Sequence, residues 1–258
     1  VPEPVKGVKC YDPSAGSGTL LMSIAHQIGE ENCTIYSEDI SQKSSNMLRL
    51  NLVLNNLTHS IPNIIKTNTI AQPYYLESKF DYIVSNPPFK LDFSDFHADL
   101  DKEAFKKRFF GGIPKIKAKD KDKMEIYLLF IQHIIHSLNE NGKAAIVVPT
   151  GFITAQSGIE KKIRERLIDN GWLRGVVSMP SNIFASTGTN VSVLFLDKKA
   201  DNQHIVLMDA SKLGETIKEG KNQRTVLTTA EEDKIISTFN EKKAVEDLSV
   251  VVSKEEIA

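Results

Sequence analysis

Val8-Lys9-Cys10-Tyr11-Asp12-Pro13-Ser14-Ala15-Gly16-Ser17-Gly18-Thr19 is the stretch on which the fold turns. A short apolar run, residues 8–11, ends at an acid, and a turn with two glycines follows. Leu20, Leu21, Ile24, Ala25 and Ile28 then recur at helical spacing. Strand, glycine turn and helix in that order form the first βα unit of a doubly wound sheet, where such folds place their ligand loop. Gly16 and Gly18 permit backbone conformations closed to other residues and let a ligand approach the main chain. A dinucleotide turn would want a third glycine at position 21, which is Leu here, and no Lys-Ser or Lys-Thr follows as a P-loop requires. The loop therefore suits a nucleoside-bearing ligand without phosphates.

Working outward, strand and helix patterns alternate. Residues 34–37 read as a second strand, and Leu50, Val53, Leu54 and Leu57 mark the face of a second helix. Residues 61–65 form a third strand broken by Pro62, and residues 80–85 a fourth. Met124, Tyr127, Leu128, Ile131, Ile134, Ile135 and Leu138 make a long apolar helical stripe, with Asn141-Gly142 as its stop. Strands follow at 143–148, 173–178, 191–196 and 204–208, with a helix at 158–170. Such alternation implies an α/β fold, doubly wound and mostly parallel, with helices on both faces. An acid after the second strand completes a ribose site, and Asp39 stands there with Glu38 beside it. It comes slightly later than the roughly 20 residues usual in dinucleotide folds.

The fourth strand runs into Asn86-Pro87-Pro88-Phe89. Two consecutive prolines donate no backbone N–H, fix their own φ and push the preceding residue out of helical space. The side-chain carbonyl of Asn86, the backbone carbonyl of Pro87 and the ring of Phe89 suit a planar group that carries an NH2. The plainer alternative is a strand-terminating turn with a buried Phe.

The 258 residues carry a formal net charge of -1, which argues against gripping a polyanion through bulk charge. At 41% apolar residues the chain can bury a full core, and no run is long enough to span a membrane. The start, Val1-Pro2-Glu3-Pro4, has no export signal and reads as part of a longer cytoplasmic protein. Cys10 and Cys33 read as small apolar fillers. His133 and His136, three apart on the long helix, lack a third metal ligand and read as packing or surface positions. Residues 90–123 are long, charged and irregular, with Phe93, Phe96, Phe105, Phe109 and Phe110, and read either as a solvated flap or as a flap that contacts substrate or partner. From residue 209 onward the tail reads as one or two helices on the sheet edge.

Asp12-Pro13-Ser14-Ala15-Gly16-Ser17-Gly18 and Asn86-Pro87-Pro88-Phe89 resemble the two signature motifs of adenine-N6 DNA methyltransferases. The likeness is greatest to the modification subunit of type I restriction–modification systems. It extends to Asp39-Ile40 with Asn46, Arg49 and Asn51, to Ile131-Gln132-His133-Ile134, and to Val148-Pro149-Thr150-Gly151. Ser181-Asn182-Ile183-Phe184 and Thr187-Gly188-Thr189 also resemble family blocks. The resemblance implies a seven-stranded class I S-adenosylmethionine-dependent methyltransferase fold, with a catalytic domain at 1–200 and a strand-and-helix extension at 201–258 packed on it.

The same resemblance implies S-adenosylmethionine as cofactor, held by Asp12, Pro13, Ser14, Gly16, Ser17, Gly18 and Thr19 around its methionine and ribose, with Asp39 on the ribose hydroxyls. Asn68 stands where the family usually has an Asp facing the cofactor adenine's amine; it keeps the acceptor oxygen and loses the charge. Asn86 and the Pro87 carbonyl would accept from the target adenine's amine, Pro88 would stiffen the turn, and Phe89, in place of the commoner Tyr, would stack on the base. Double-stranded DNA and separate specificity and restriction subunits are the implied partners, with no membrane and no metal. The family completes its cofactor pocket with a segment before the glycine loop, so residues 1–258 alone are expected to bind cofactor weakly. Two other readings of these motifs stand beside this one: methyl transfer by the same fold to protein glutamine or RNA, and a non-catalytic assembly scaffold.

Overall fold

The computed structural model describes residues 7–184, 190–220 and 222–257. The Val1-Pro2-Glu3-Pro4 start and the Thr187-Gly188-Thr189 block lie outside the described residues. Chain contacts divide the protein into two compact units, Val1–Ile146 and Val147–Ala258. Among the described residues no helix is long and apolar enough to cross a membrane.

The first unit runs β1 (Val8–Asp12), α1 (Thr19–Ile28), β2 (Cys33–Asp39), α2 (Gln42–Leu54), β3 (Ile64–Lys66), β4 (Phe80–Ser85), α3 (Glu103–Lys106), α4 (Tyr127–Ser137) and β5 (Leu138–Pro149). Its strands lie in the order β5-β4-β1-β2-β3, and every pair is parallel. The order reverses at β1, with β2 on one side and β4 on the other. That reversal opens a crevice beyond the strands' carboxyl ends, where open α/β sheets bind ligands. Strand alternation assigns the two faces. Cys10, Cys33 and Ile35 pack with Leu21 and Ala25 of α1 and Leu48 and Leu52 of α2. Tyr11, one residue on, points the other way, stacks on Phe80 at 4.3 Å and meets His133 of α4. Helices therefore cover both faces.

Several expected boundaries move. The third strand is confined to Ile64–Lys66, because Pro62 sits in a 3-10 turn over Thr58–Asn63. The long helix ends at Ser137, and the chain is already extended from Leu138, so Asn141-Gly142 lies within a strand. The face expected for α2 is wrong within the helix, although Leu57, three residues past its end, is buried in the core as expected. Ser45, Leu48 and Leu52 are buried, whereas Leu50, Val53 and Leu54 are exposed. Leu48 belongs inside because it packs directly against Gly18.

Residues 90–123 are not a solvated flap. Phe93, Leu100 and Phe109 join Ile70, Met124, Ile126, Leu129 and Phe130 in a core of their own, with Phe96, Phe105 and Ile113 against it. This insert covers the side of α4 that the sheet does not, and ten of the helix's eleven residues are buried.

The second unit contains α5 (Gly151–Thr154), α6 (Gly158–Asp169), β6 (Leu173–Ser178), β7 (Val191–Asp197), β8 (His204–Asp209), β9 (Glu215–Glu219), β10 (Asn222–Val226), α7 (Thr229–Asn240), β11 (Ser249–Ser253) and α8 (Lys254–Ile257). β6 pairs antiparallel with β7 and parallel with β8, and β11 adds antiparallel to β8. The tail is richer in strand than expected, through the β9–β10 hairpin and β11. The run Val250-Val251-Val252 favours β11, since β-branched side chains suit a pleated surface. Among the described residues the main sheet takes five strands from the first unit and β6, β7, β8 and β11 from the second, where seven in all were expected.

Candidate active site

β1 and β4 are parallel neighbours, with Tyr11 opposite Ile83, so the loops that leave them emerge side by side. The glycine loop and Asn86-Pro87-Pro88-Phe89 therefore meet at the carboxyl ends of two adjoining interior strands. A direct bond ties them, since the hydroxyls of Ser14 and Ser85 lie 2.9 Å apart. Ser14 also donates its amide to Oδ1 of Asp12 at 2.9 Å.

Within the loop, Gly16 has φ +55 and Gly18 φ +84, both left-handed. A Cβ on Gly18 would lie 2.1 Å from Cδ1 of the buried Leu48, so any side chain there would have to displace Leu48 from the core. A Cβ on Gly16 would meet nothing within 4 Å, which leaves room for a ligand against the main chain. The Gly16 amide donates to Oδ2 of Asp39 at 2.9 Å, and the Ser41 amide to its Oδ1 at 2.7 Å. Each carboxylate oxygen keeps a second lone pair, the acceptor pair that a ribose diol needs. Asn51 of α2 donates to the Ser17 carbonyl at 2.8 Å and holds the loop from the other side.

Asp12 is 2% exposed. Burial pushes its carboxyl up to about 7, the charge of Asp39 adds to this, and the bonds from Ser14 and Ser85 oppose it. Oδ1 of Asn68 accepts from the amides of Ile70 at 3.1 Å and Ala71 at 3.0 Å. Both lone pairs of the oxygen expected to meet a cofactor amine are thus committed to its own turn.

Asn86 is exposed and its side chain makes no hydrogen bond to any described residue, while Ser85 before it and Pro87 after it are buried. The backbone is clamped and the amide is presented. No peptide among the described residues is cis. Phe89 is half-buried and meets Tyr127 edge-on, with centroids 6.1 Å apart.

Beneath the loops lies a buried polar network that sequence reasoning missed. Glu38, fully buried, accepts from the amides of Tyr74 at 2.6 Å and Tyr75 at 2.9 Å, and from the Tyr11 hydroxyl at 2.8 Å. Burial raises its carboxyl pKa, opposed by those bonds. His133 lies with Nε2 3.0 Å from the Tyr11 oxygen. Burial, reinforced by the charge of Arg108, pushes its pKa well below the usual imidazole range and keeps the ring neutral. The signal for Glu38 was its position: an acid one residue before Asp39 must face the opposite side of the strand, where it needs partners. His133 is the packing residue expected of it. Arg108 carried no comparable signal.

A parallel sheet reversing at β1, a glycine loop there and an aromatic Asn-Pro-Pro turn on the next strand define a class I S-adenosylmethionine-dependent methyltransferase fold. Residues 1–258 match the N-6 DNA Methylase family throughout, and the chain belongs to that family. It is 30% identical over 260 aligned residues to the type I restriction enzyme MpnII methylase subunit of Mycoplasma pneumoniae, across 96% of this chain and 46% of that protein. It is 26% identical over 220 residues to the HindI methylase subunit of Haemophilus influenzae, across 82% of this chain and 46% of that one. The crystal structure of a type I restriction–modification methyltransferase subunit from Streptococcus thermophilus superposes with a TM-score of 0.80 at 26% identity, over 97% of this chain and 51% of that one. The chain spans about half the length of the relatives it matches.

Proposed function

We propose that this chain is the catalytic part of a type I modification subunit that methylates the N6 amine of adenine in double-stranded DNA. The observation that carries the reading is the meeting of the two loops at adjoining parallel strand ends, with the Asn86 amide exposed and unbonded. The cofactor would be S-adenosylmethionine, whose sulfonium supplies an already activated methyl group. Asp12, Pro13, Ser14, Gly16, Ser17, Gly18 and Thr19 would surround its methionine and ribose, Asp39 would accept from the ribose hydroxyls, and the Asn68 turn would wall the adenine side. The open space over Gly16 fits such a ligand.

Asn86 and the Pro87 carbonyl would accept from the two hydrogens of the target amine. That geometry favours a pyramidal nitrogen with its lone pair free to attack, and pre-placed dipoles stabilise the charge that develops. Proline at 87 and 88 lowers the freedom of the turn, so little ordering remains when substrate arrives. The base must leave the duplex to reach these groups. Stacking on Phe89, worth about 1–3 kcal/mol by analogy with single-strand binding, offsets part of the unstacking.

Specificity and restriction subunits are the partners this reading implies, in the cytoplasm. We retain a catalytic domain at 1–200 with an extension at 201–258; the pairing of β8 with β6 supports treating the extension as part of the same fold. The test is methyl transfer by the full-length subunit with its specificity partner, read as N6-methyladenine. Asn86→Ala should reduce kcat by about two to three orders of magnitude, the usual cost of removing one such acceptor or donor. Its melting temperature should stay unchanged, because the side chain holds nothing in the fold. Wild-type activity that persists in the variant refutes the assignment.

A further inference from the structure

One side chain of the 90–123 insert spends its polar atoms outside the insert. Arg108 is 1% exposed and lies against the rings of Phe105 and Phe109, 5.4 and 4.6 Å from their centroids. Nη1 donates to the Thr69 carbonyl at 3.2 Å and to Nδ1 of His133 at 2.9 Å, and Nη2 donates to the Ile70 carbonyl at 2.5 Å. Nε is buried without a partner. Among the described residues no carboxylate bonds the guanidinium, whose side-chain partners are those just named. Burying a cation on such terms is costly, and an apolar side chain would fill the space between two phenylalanines at less expense.

What the arginine gains is position. Thr69, whose carbonyl it holds, donates its own hydroxyl to the Pro13 carbonyl at 2.6 Å. His133 accepts from Arg108 at Nδ1, so it carries its proton on Nε2 and donates to the Tyr11 oxygen. Tyr11 is then left to donate to Glu38, and each hydrogen in the chain has one acceptor. Tyr11 directly precedes Asp12, Glu38 precedes Asp39, and Thr69 follows Asn68. Every backbone segment of the candidate cofactor pocket is thus reached from one guanidinium through a short series of hydrogen bonds.

We propose that Arg108 is a positioning residue for the cofactor: it fixes the Asn68–Ala71 turn and, through Thr69 and His133, the loop after β1. The insert that begins right after Phe89 then sets cofactor affinity without touching the cofactor. The inference rests on the functional reading above.

The experiment compares wild-type full-length subunit, assembled with its specificity partner, with Arg108→Met, Arg108→Lys and Thr69→Val. Tritium transfer from S-adenosylmethionine to DNA gives kcat and both KM values. Calorimetry with S-adenosylhomocysteine gives cofactor-site affinity independent of turnover. Arg108→Met should raise the cofactor KM and the S-adenosylhomocysteine Kd roughly ten-fold, the scale of one or two lost net hydrogen bonds. The KM for DNA and kcat per folded molecule should stay within about two-fold. Arg108→Lys, which keeps the charge and loses the fork, should fall between. Thr69→Val leaves the arginine intact and should shift affinity the same way. A purely structural role predicts a lower melting temperature with unchanged Kd, and that result overturns the proposal. Should Arg108→Met not fold, unchanged affinity in both Arg108→Lys and Thr69→Val overturns it equally. A wild-type subunit that binds no cofactor at all refutes the functional reading itself, a result the variants cannot produce.

Discussion

The hydroxyl of Ser14 lies 2.9 Å from the hydroxyl of Ser85. One belongs to the glycine loop, the other is the last residue of β4 before Asn86, and Ser85 is fully buried. This bond sets the spacing between the candidate cofactor loop and the groups that would face the target amine. Ser85→Ala removes it and leaves the Ser14 hydroxyl with only a 3.5 Å approach to Asp12. Stability should fall by about 1 kcal/mol, the net worth of one hydrogen bond. The functional loss should be larger than a surface change would cause, several-fold in kcat with little change in the cofactor KM. Denaturant melts and steady-state methylation measure both.

The two glycines should separate stability from binding. Gly18→Ala must adopt φ +84 and drive a methyl into Leu48, so it is expected to destabilise the fold by several kcal/mol. Gly16→Ala carries only the left-handed strain of about 1–2 kcal/mol, because its methyl enters open space. That space is where the ligand would lie. Gly16→Ala should therefore fold and bind S-adenosylhomocysteine poorly, whereas Gly18→Ala should melt early. Equal affinity of Gly16→Ala and wild type, measured by calorimetry, would remove the loop from the cofactor site.

How much of this was legible in the sequence depends on the range of the interactions. Asp12, Gly16, Gly18, Asp39 and Asn86 declare themselves because a strand end and a special backbone conformation leave local marks. The α2 face did not: Leu48 and Leu50 are equally apolar, and packing against Gly18 and the β1–β2 core selects Leu48 for the interior. The start of β5 was hidden in the same way. Asn141-Gly142 is a strong local stop, but pairing of residues 138 and 143–146 with β4 overrides it. Arg108 was invisible for a further reason. Its partners, Thr69, Ile70 and His133, are 39, 38 and 25 residues away, and a lone arginine in a charged run looks like solvent-facing surface.

The insert gives a direct stability prediction. Phe93 is fully buried and stacks on His97 with centroids 5.9 Å apart. Phe93→Ala should cost about 3–5 kcal/mol, the range for removing a core aromatic. A solvated flap would instead tolerate the change within about 0.5 kcal/mol. Urea melts of the two proteins distinguish the cases, and limited trypsin digestion gives a second reading. Cleavage should begin at the exposed residues 115–119 and spare the bond after Arg108 until the unit opens.

Asp12 makes stability fall as pH rises. Its carboxyl sits near 7 in the folded protein against about 3.9 in an unfolded chain. Between these values the native state holds a proton that the unfolded state has released, so stability is lost as pH climbs from about 4 to about 7 and is constant above. Asp12→Asn keeps the shape and the bond from Ser14 and removes the charge. The variant should match wild type near pH 4 and exceed it by up to a few kcal/mol at pH 8. It should bind cofactor less well, since a buried carboxyl raised this far is one whose charge a cationic ligand would stabilise. Chemical denaturation of both proteins across that pH range isolates the Asp12 contribution from every other titrating group. A difference that stays flat across that range would mean that the Asp12 carboxyl is unperturbed in the folded protein, and one that shrinks as pH rises would mean that the fold stabilises its charge.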